Sequence, residues 1–133
     1  MAFEWRCRVY IEDTDFGGIV YYVNYLKFME RARTEMLRAV GYSQQILKSQ
    51  GWLFVVHDVQ ARYLKPSHLD DELIVRSDIE LAGAATVIFK QRVVGDAGDA
   101  RCEGDIRVVC VDEKTLKPRR WPKELLQRLE QLD

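Results

Sequence analysis

Asn24-Tyr25-Leu26-Lys27-Phe28-Met29-Glu30-Arg31-Ala32-Arg33-Thr34-Glu35-Met36-Leu37-Arg38-Ala39-Val40 places an apolar residue in every helical turn. Tyr25, Phe28, Met29, Ala32, Met36, Leu37 and Val40 recur at spacings of three and four, which draws one stripe along an α-helix. Asn24 suits an N-cap, since its side chain can accept from the unpaired amides of the first turn. Gly41 comes just past the last apolar position and can take the left-handed backbone that ends a helix. Arg31 and Glu35, four apart, are expected to pair on the wet face.

On either side the period changes to two. Trp5, Cys7, Val9 and Ile11 alternate with Glu4, Arg6, Arg8 and Glu12, the pattern of a half-buried strand over 4–12. Asp13-Thr14-Asp15-Phe16-Gly17-Gly18 then reads as a turn, because paired glycines admit backbone angles that other residues resist. A short helix is expected over 43–50. Further strands are expected over 53–64, 73–81, 86–94 and 102–111, with Gly83 turning one connection and Gly95–Asp99 forming a hairpin loop. Pro122 starts a last helix whose Leu125, Leu126, Leu129 and Leu132 lie on one side. Five amphipathic strands, mostly antiparallel, have one apolar face to cover, and the chain offers one long helix to cover it. The expected class is α+β, a sheet curled around that helix, in a single domain over 1–133.

Composition excludes several classes of function. The 133 residues are 47% apolar and 31% charged, with a net charge of −1. A nucleic-acid or anionic-membrane protein would carry a basic surplus. No apolar run approaches the roughly 18 residues of a membrane span. The start at Met1 lacks the basic-then-apolar layout of a signal peptide. Cys7, Cys102 and Cys110 show no Cys-x-x-Cys and no zinc spacing. They read as reduced thiols of a cytoplasmic protein. With His57 and His68 the only histidines, no metal and no cofactor are expected. His57 shares parity with Leu53, Val55 and Val59 and reads as a core or interface histidine.

The run from Glu12 to Arg33, with its Asp-x-Asp, its glycines and Val20-Tyr21-Tyr22 entering a helix, resembles the 4-hydroxybenzoyl-CoA thioesterase family. The likeness is to its branch of acyl-CoA thioesterases associated with the Tol-Pal system. Tyr63-Leu64-Lys65-Pro66, Leu69-Asp70-Asp71-Glu72-Leu73, Val111-Asp112 and Lys117-Pro118 extend it over nearly the whole chain. The resemblance implies a hot-dog fold, a sheet of about five antiparallel strands wrapped around a long central helix. It also implies a homo-oligomer, a dimer or a dimer of dimers (a homotetramer), with active sites between subunits. The activity it implies is hydrolysis of an acyl-CoA thioester. An acyl carrier protein is a further candidate partner.

Thioester hydrolysis needs few parts. The leaving thiol titrates near ~8.5 and departs without a strong acid. What remains is to deliver an oxygen nucleophile and to stabilise charge on the carbonyl oxygen. A carboxylate can attack directly or act as general base on water. Unpaired amides at a helix N-terminus can polarise the carbonyl. By resemblance, Asp15 matches the catalytic carboxylate, as nucleophile or general base, and the backbone amide of Tyr22 matches the polarising donor. Asp15 also reads as a plain turn aspartate, and Asp13 as a structural one bonded to backbone. Tyr22 replaces a histidine common in the Tol-Pal branch, which bears on rate and substrate choice. The amide role uses backbone and survives that change.

Ile19, Tyr25, Phe28 and Phe54, with Phe16 and Trp52, are candidates to line an acyl pocket; each also reads as plain core. The basic cluster that anchors coenzyme A in the hydroxybenzoyl enzyme is replaced by Ala82-Gly83-Ala84-Ala85. Arg62, Lys65, Lys114, Lys117, Arg119, Arg120 and Lys123 are the remaining phosphate candidates; the last five also read as a solvated loop. Two other readings stay open. A hot-dog hydratase or dehydratase needs a paired acid and base, and no histidine lies near Asp15. A non-catalytic scaffold would bind acyl thioesters or acyl carrier protein without turnover. A serine hydrolase is disfavoured because Gly-x-Ser-x-Gly is absent.

Overall fold

The computed structural model describes residues 3–132. In chain order the elements are β1 (Phe3–Arg8), α1 (Tyr22–Ala39), α2 (Gln44–Ser49), β2 (Trp52–Tyr63), β3 (Glu72–Leu81), β4 (Thr86–Val94), β5 (Ala100–Asp112) and α3 (Lys123–Glu130). The five strands form one sheet in the order β1-β3-β4-β5-β2, every pairing antiparallel. Helix α1 lies against β1, β3 and β4. Among the described residues, no helix is long and apolar enough to cross a membrane.

The core forms where the helical stripe meets the inward face of the sheet. Tyr25, Phe28, Met29, Ala32, Met36 and Leu37 from α1 pack with Leu73, Val75, Phe89, Val93, Cys102 and Ile106. Full burial of each large apolar side chain stabilises the fold by about 1.5–3 kcal/mol. Gly104 lets the helix settle: a Cβ there would stand 3.1 Å from Met29 Sδ. Gln91, buried on β4, donates through Nε2 to the Met29 carbonyl and to Ser77 Oγ, both at 2.9 Å, so its burial leaves no amide proton unpaired. Helix α3 and Trp121 close the far end. Leu125 and Leu129 are buried, and the Trp121 ring packs on Phe54 at 4.4 Å between centroids.

Several local expectations are corrected. Strand β1 stops at Arg8 rather than Glu12, and Ile11 is 75% exposed. The Asp13 carboxylate accepts from the Tyr10 amide at 2.9 Å, so the chain coils into a 3-10 turn over Ile11–Asp13. Asn24 is not the cap of α1. That position is Tyr21, and no side chain caps the helix there. Glu35 pairs with Arg38 rather than Arg31, in the last turn, where a cation also meets the negative end of the helix. His57 is exposed, not in the core. The β2–β5 register shifts between Val56 and Asp58, and such a bulge breaks the parity that a simple alternation assumes.

Candidate active site

The segment between β1 and α1 is held as a small hairpin. Asp15 N donates to Ile19 O at 2.9 Å, and Gly18 N to Asp15 O at 3.0 Å. Gly18 has φ 79, the left-handed region that makes glycine the suitable residue at this turn. Val20 N then donates to Ser67 O at 2.8 Å, and Ile19 bridges His68. Tyr21 N donates to Asp13 O at 2.9 Å, and α1 begins at the next residue. The chain from Asp15 to Tyr22 is thereby tied at both ends and braced along one side by residues 67–68.

Asp15 is exposed. One carboxylate oxygen, Oδ1, accepts from Gly17 N at 2.9 Å, which fixes the side-chain direction. Oδ2 carries no hydrogen bond among the described residues. Tyr22 and Val23 are the first two residues of α1, and their amides lie before the start of the intrahelical ladder. With no side-chain cap on this helix, those donors and the positive end of the dipole stay available. Asp13 is structural: it is 4% exposed, and its two oxygens take Tyr10 N and Asn24 Nδ2.

A run of aromatic rings covers the start of α1. Tyr22 meets Tyr21 at 5.2 Å and Tyr63 at 5.4 Å, both edge to face, and Tyr63 meets Tyr25 at 5.9 Å. Burial pushes the Tyr25 and Tyr63 phenols upward, so both stay protonated at neutral pH. Burial also raises the thiols, Cys7 to about 11 and Cys102 and Cys110 to about 12. None of the three is a ready thiolate nucleophile.

The other expected site residues scatter. Ile19 is half-buried beside the Asp15 turn, whereas Tyr25 and Phe28 are 3% and 1% exposed within the core. Phe54 lines a cavity of about 380 Å³ with Glu30, Arg33, Thr34, Val56 and Val108. A larger concavity of about 850 Å³ is walled by Arg62, Arg76, Lys90, Arg92 and Glu103. Neither touches Asp15 or Tyr22. Phe16, at the tip of the Asp15 turn, is fully exposed. Of the basic candidates, Lys65 is paired with Asp99 and Arg62 with Glu103. Arg119 stacks on Trp52 at 3.9 Å and donates to Gly51 O, a structural use. Sequence reasoning missed Ser67 and Arg101, which brace the segment from outside; neither lies in a motif or on an apolar stripe.

The model of the thioesterase-like superfamily matches residues 9–129. The chain belongs to the thioesterase-like superfamily. Among relatives in this superfamily, the acyl-CoA thioester hydrolase YbgC of Escherichia coli O6:H1 is 42% identical over 129 residues, covering 97% of this chain and 96% of that one. The acyl-CoA thioesterase YbgC of Haemophilus influenzae is 40% identical, covering 93% and 91%. A probable thioesterase from Bartonella henselae superposes with a TM-score of 0.86 at 29% identity, over 92% of this chain and all of that one. The architecture is the hot-dog fold of these thioesterases, with α1 as the central helix.

Proposed function

We propose that this chain is an acyl-CoA thioester hydrolase in which Asp15 delivers the nucleophile and the first amides of α1 polarise the thioester carbonyl. One observation carries the reading. A carboxylate with one oxygen held and the other free sits seven residues before Tyr22, the first residue of an uncapped helix, and is joined to it by a hydrogen-bonded turn. The 42% identity to an acyl-CoA thioester hydrolase over nearly the full chain supports the substrate class.

The reaction takes an acyl-CoA and water to a carboxylate and free coenzyme A. As general base, Asp15 takes a proton from water as its oxygen attacks the carbonyl; as nucleophile, Asp15 forms a mixed anhydride that water then opens. In both routes charge grows on the carbonyl oxygen, and the Tyr22 amide is the donor proposed to stabilise it. In both the carbon–sulfur bond breaks and the thiolate leaves. Ile19, Tyr25, Phe28 and Phe54 are the candidate acyl contacts; Ile19 and Phe54 are half-buried, and Tyr25 and Phe28 lie in the core. An acyl carrier protein presents its thioester on the same kind of pantetheine arm and is a candidate alternative carrier.

The functional unit is proposed to be a cytoplasmic homodimer, or a pair of dimers. Two observations support assembly. Phe16 stands fully exposed at the Asp15 turn, and β2, an edge strand of 12 residues, exposes Val55, Val56 and Val59. An unpaired edge of that length invites a second strand, and a facing copy would enclose the Asp15 turn.

The test is thiol release from a panel of acyl-CoAs, run on the parent protein and on Asp15→Asn. Turnover in the parent and a loss of at least about 100-fold in a folded Asp15→Asn, the scale of general acid–base catalysis, is the expected result. Full activity in the variant removes Asp15 from the mechanism.

A further inference from the structure

Ser67 is fully buried, yet it lies in no catalytic motif. Its carbonyl accepts from Val20 N at 2.8 Å. Its hydroxyl accepts from Tyr25 OH at 2.9 Å and from Arg101 Nη1 at 3.1 Å. Three separate parts of the chain thus converge on one small residue: the strand that leads into α1, the first turn of α1, and the start of β5.

Arg101 is the anchor of that meeting point. Its side chain is 15% exposed. Nη1 also donates to Pro66 O at 3.0 Å and to Asp71 Oδ2 at 3.4 Å, while Nε donates to Asp99 Oδ2 at 2.8 Å. Asp71 Oδ2 in turn accepts from His68 N at 2.9 Å. Gly95 closes the back: a Cβ there would stand 2.4 Å from Arg101 Nη2. A planar guanidinium can serve these divergent acceptors at once, which an ammonium on a flexible stem cannot. Arg101 thus ties the loop 66–71 to the start of β5, while Arg8 and Val9 hold its Asp70–Asp71 end to β1.

We infer that Ser67, held by Arg101, is a positioning residue that sets the Tyr22 amide relative to Asp15. Asp15 is hydrogen-bonded to Ile19, Val20 to Ser67, and Tyr22 follows two residues on. Ser67 thus holds the strand between carboxylate and amide donor on one side. Through the Tyr25 hydroxyl it holds the helix that carries the donor on the other. The acyl carbonyl must meet the amide while the nucleophile meets its carbon, and misplacement by about 1 Å can cost 10²-fold in rate. The inference rests on the hydrolase reading, and deepens it by naming what keeps the two halves in register.

Ser67→Ala, Tyr25→Phe and the double variant test it, each checked for fold by circular dichroism and thermal melting. The assay is thiol release from the acyl-CoA that the parent turns over fastest. Each single variant is expected to lose about 10–100-fold in kcat with KM changed less than about threefold, the signature of misplacement rather than weaker binding. The double variant is expected to lose no more than the worse single one, since both break the same contact. Arg101→Lys, which keeps the charge and loses the fork, is expected to show the same kcat loss. Parental kcat in folded Ser67→Ala or Tyr25→Phe, or losses that multiply in the double variant, overturns the inference. If Ser67→Ala does not fold, Tyr25→Phe decides alone, since it keeps the ring and every backbone contact. Asp15→Asn in the same assay separates the two levels. Its retained activity sinks the hydrolase mechanism and this inference together. Its loss beside a fully active Ser67→Ala sinks only the latter.

Discussion

The side chain of Asn24 donates through Nδ2 to Asp13 Oδ1 at 2.8 Å, and both residues are buried. A carboxylate is expensive to bury unless its oxygens are paired. The other oxygen takes the Tyr10 amide. This pair therefore ties the third residue of the central helix to the turn that ends β1.

Removing one partner leaves the other unpaired. Asn24→Ala is expected to destabilise the fold by about 1–3 kcal/mol, the cost of stranding a buried acceptor. Urea denaturation followed by circular dichroism measures it. A change below about 0.5 kcal/mol, the usual range of surface substitutions, would show that water replaces the amide at no cost.

Acid should act on the Asp99–Arg101 contact. Arg101, and then Lys65, hold the Asp99 carboxyl below the usual carboxylate range. A depressed folded value means that the contribution is present above the unfolded value of roughly 3.9 and is lost as pH falls through the folded one. The parent is expected to melt higher than Asp99→Asn at neutral pH, with the gap closing below about pH 4. Glu103 and Asp112 are shifted in the same direction, so an acid decline remains in the variant. A gap that stays constant to pH 2 contradicts the assignment.

Assembly through β2 has its own measurement. Val55 is 42% exposed on the unpaired edge. Lysine on an edge strand blocks pairing with another chain. Under the proposed assembly the parent is an oligomer in light scattering, and Val55→Lys is expected to be a monomer with lower thiol release. An unchanged mass would place the interface elsewhere.

Much of the architecture could be read in the residues themselves. Strand β4 occupies 86–94 as the alternation predicts, and the α1 stripe is the core stripe, because burial imposes its period directly on composition. Gly41 marks the end of α1 because capping is local chemistry. What escaped depends on contacts distant in sequence or on a break in period. The bulge beside His57 reverses parity without changing residue types. The Arg101–Ser67 contact joins residues 34 apart, and nothing near either one announces the other. Asn24 has the right chemistry for a cap, but Asp13 claims its side chain first.

Tyr22 opens α1, and Tyr21 before it has φ −61 and ψ 125. Those are the angles a residue adopts ahead of proline, and the first helical position tolerates proline well. Among the twenty side chains, then, the single one able to erase the N–H proposed to polarise the carbonyl is also one that this backbone accepts. Tyr22→Pro, with Tyr22→Ala to account for the lost ring, amounts to subtracting one hydrogen atom from a folded enzyme. The protein should melt normally and lose turnover by about 10²–10³-fold, as loss of an oxyanion donor does.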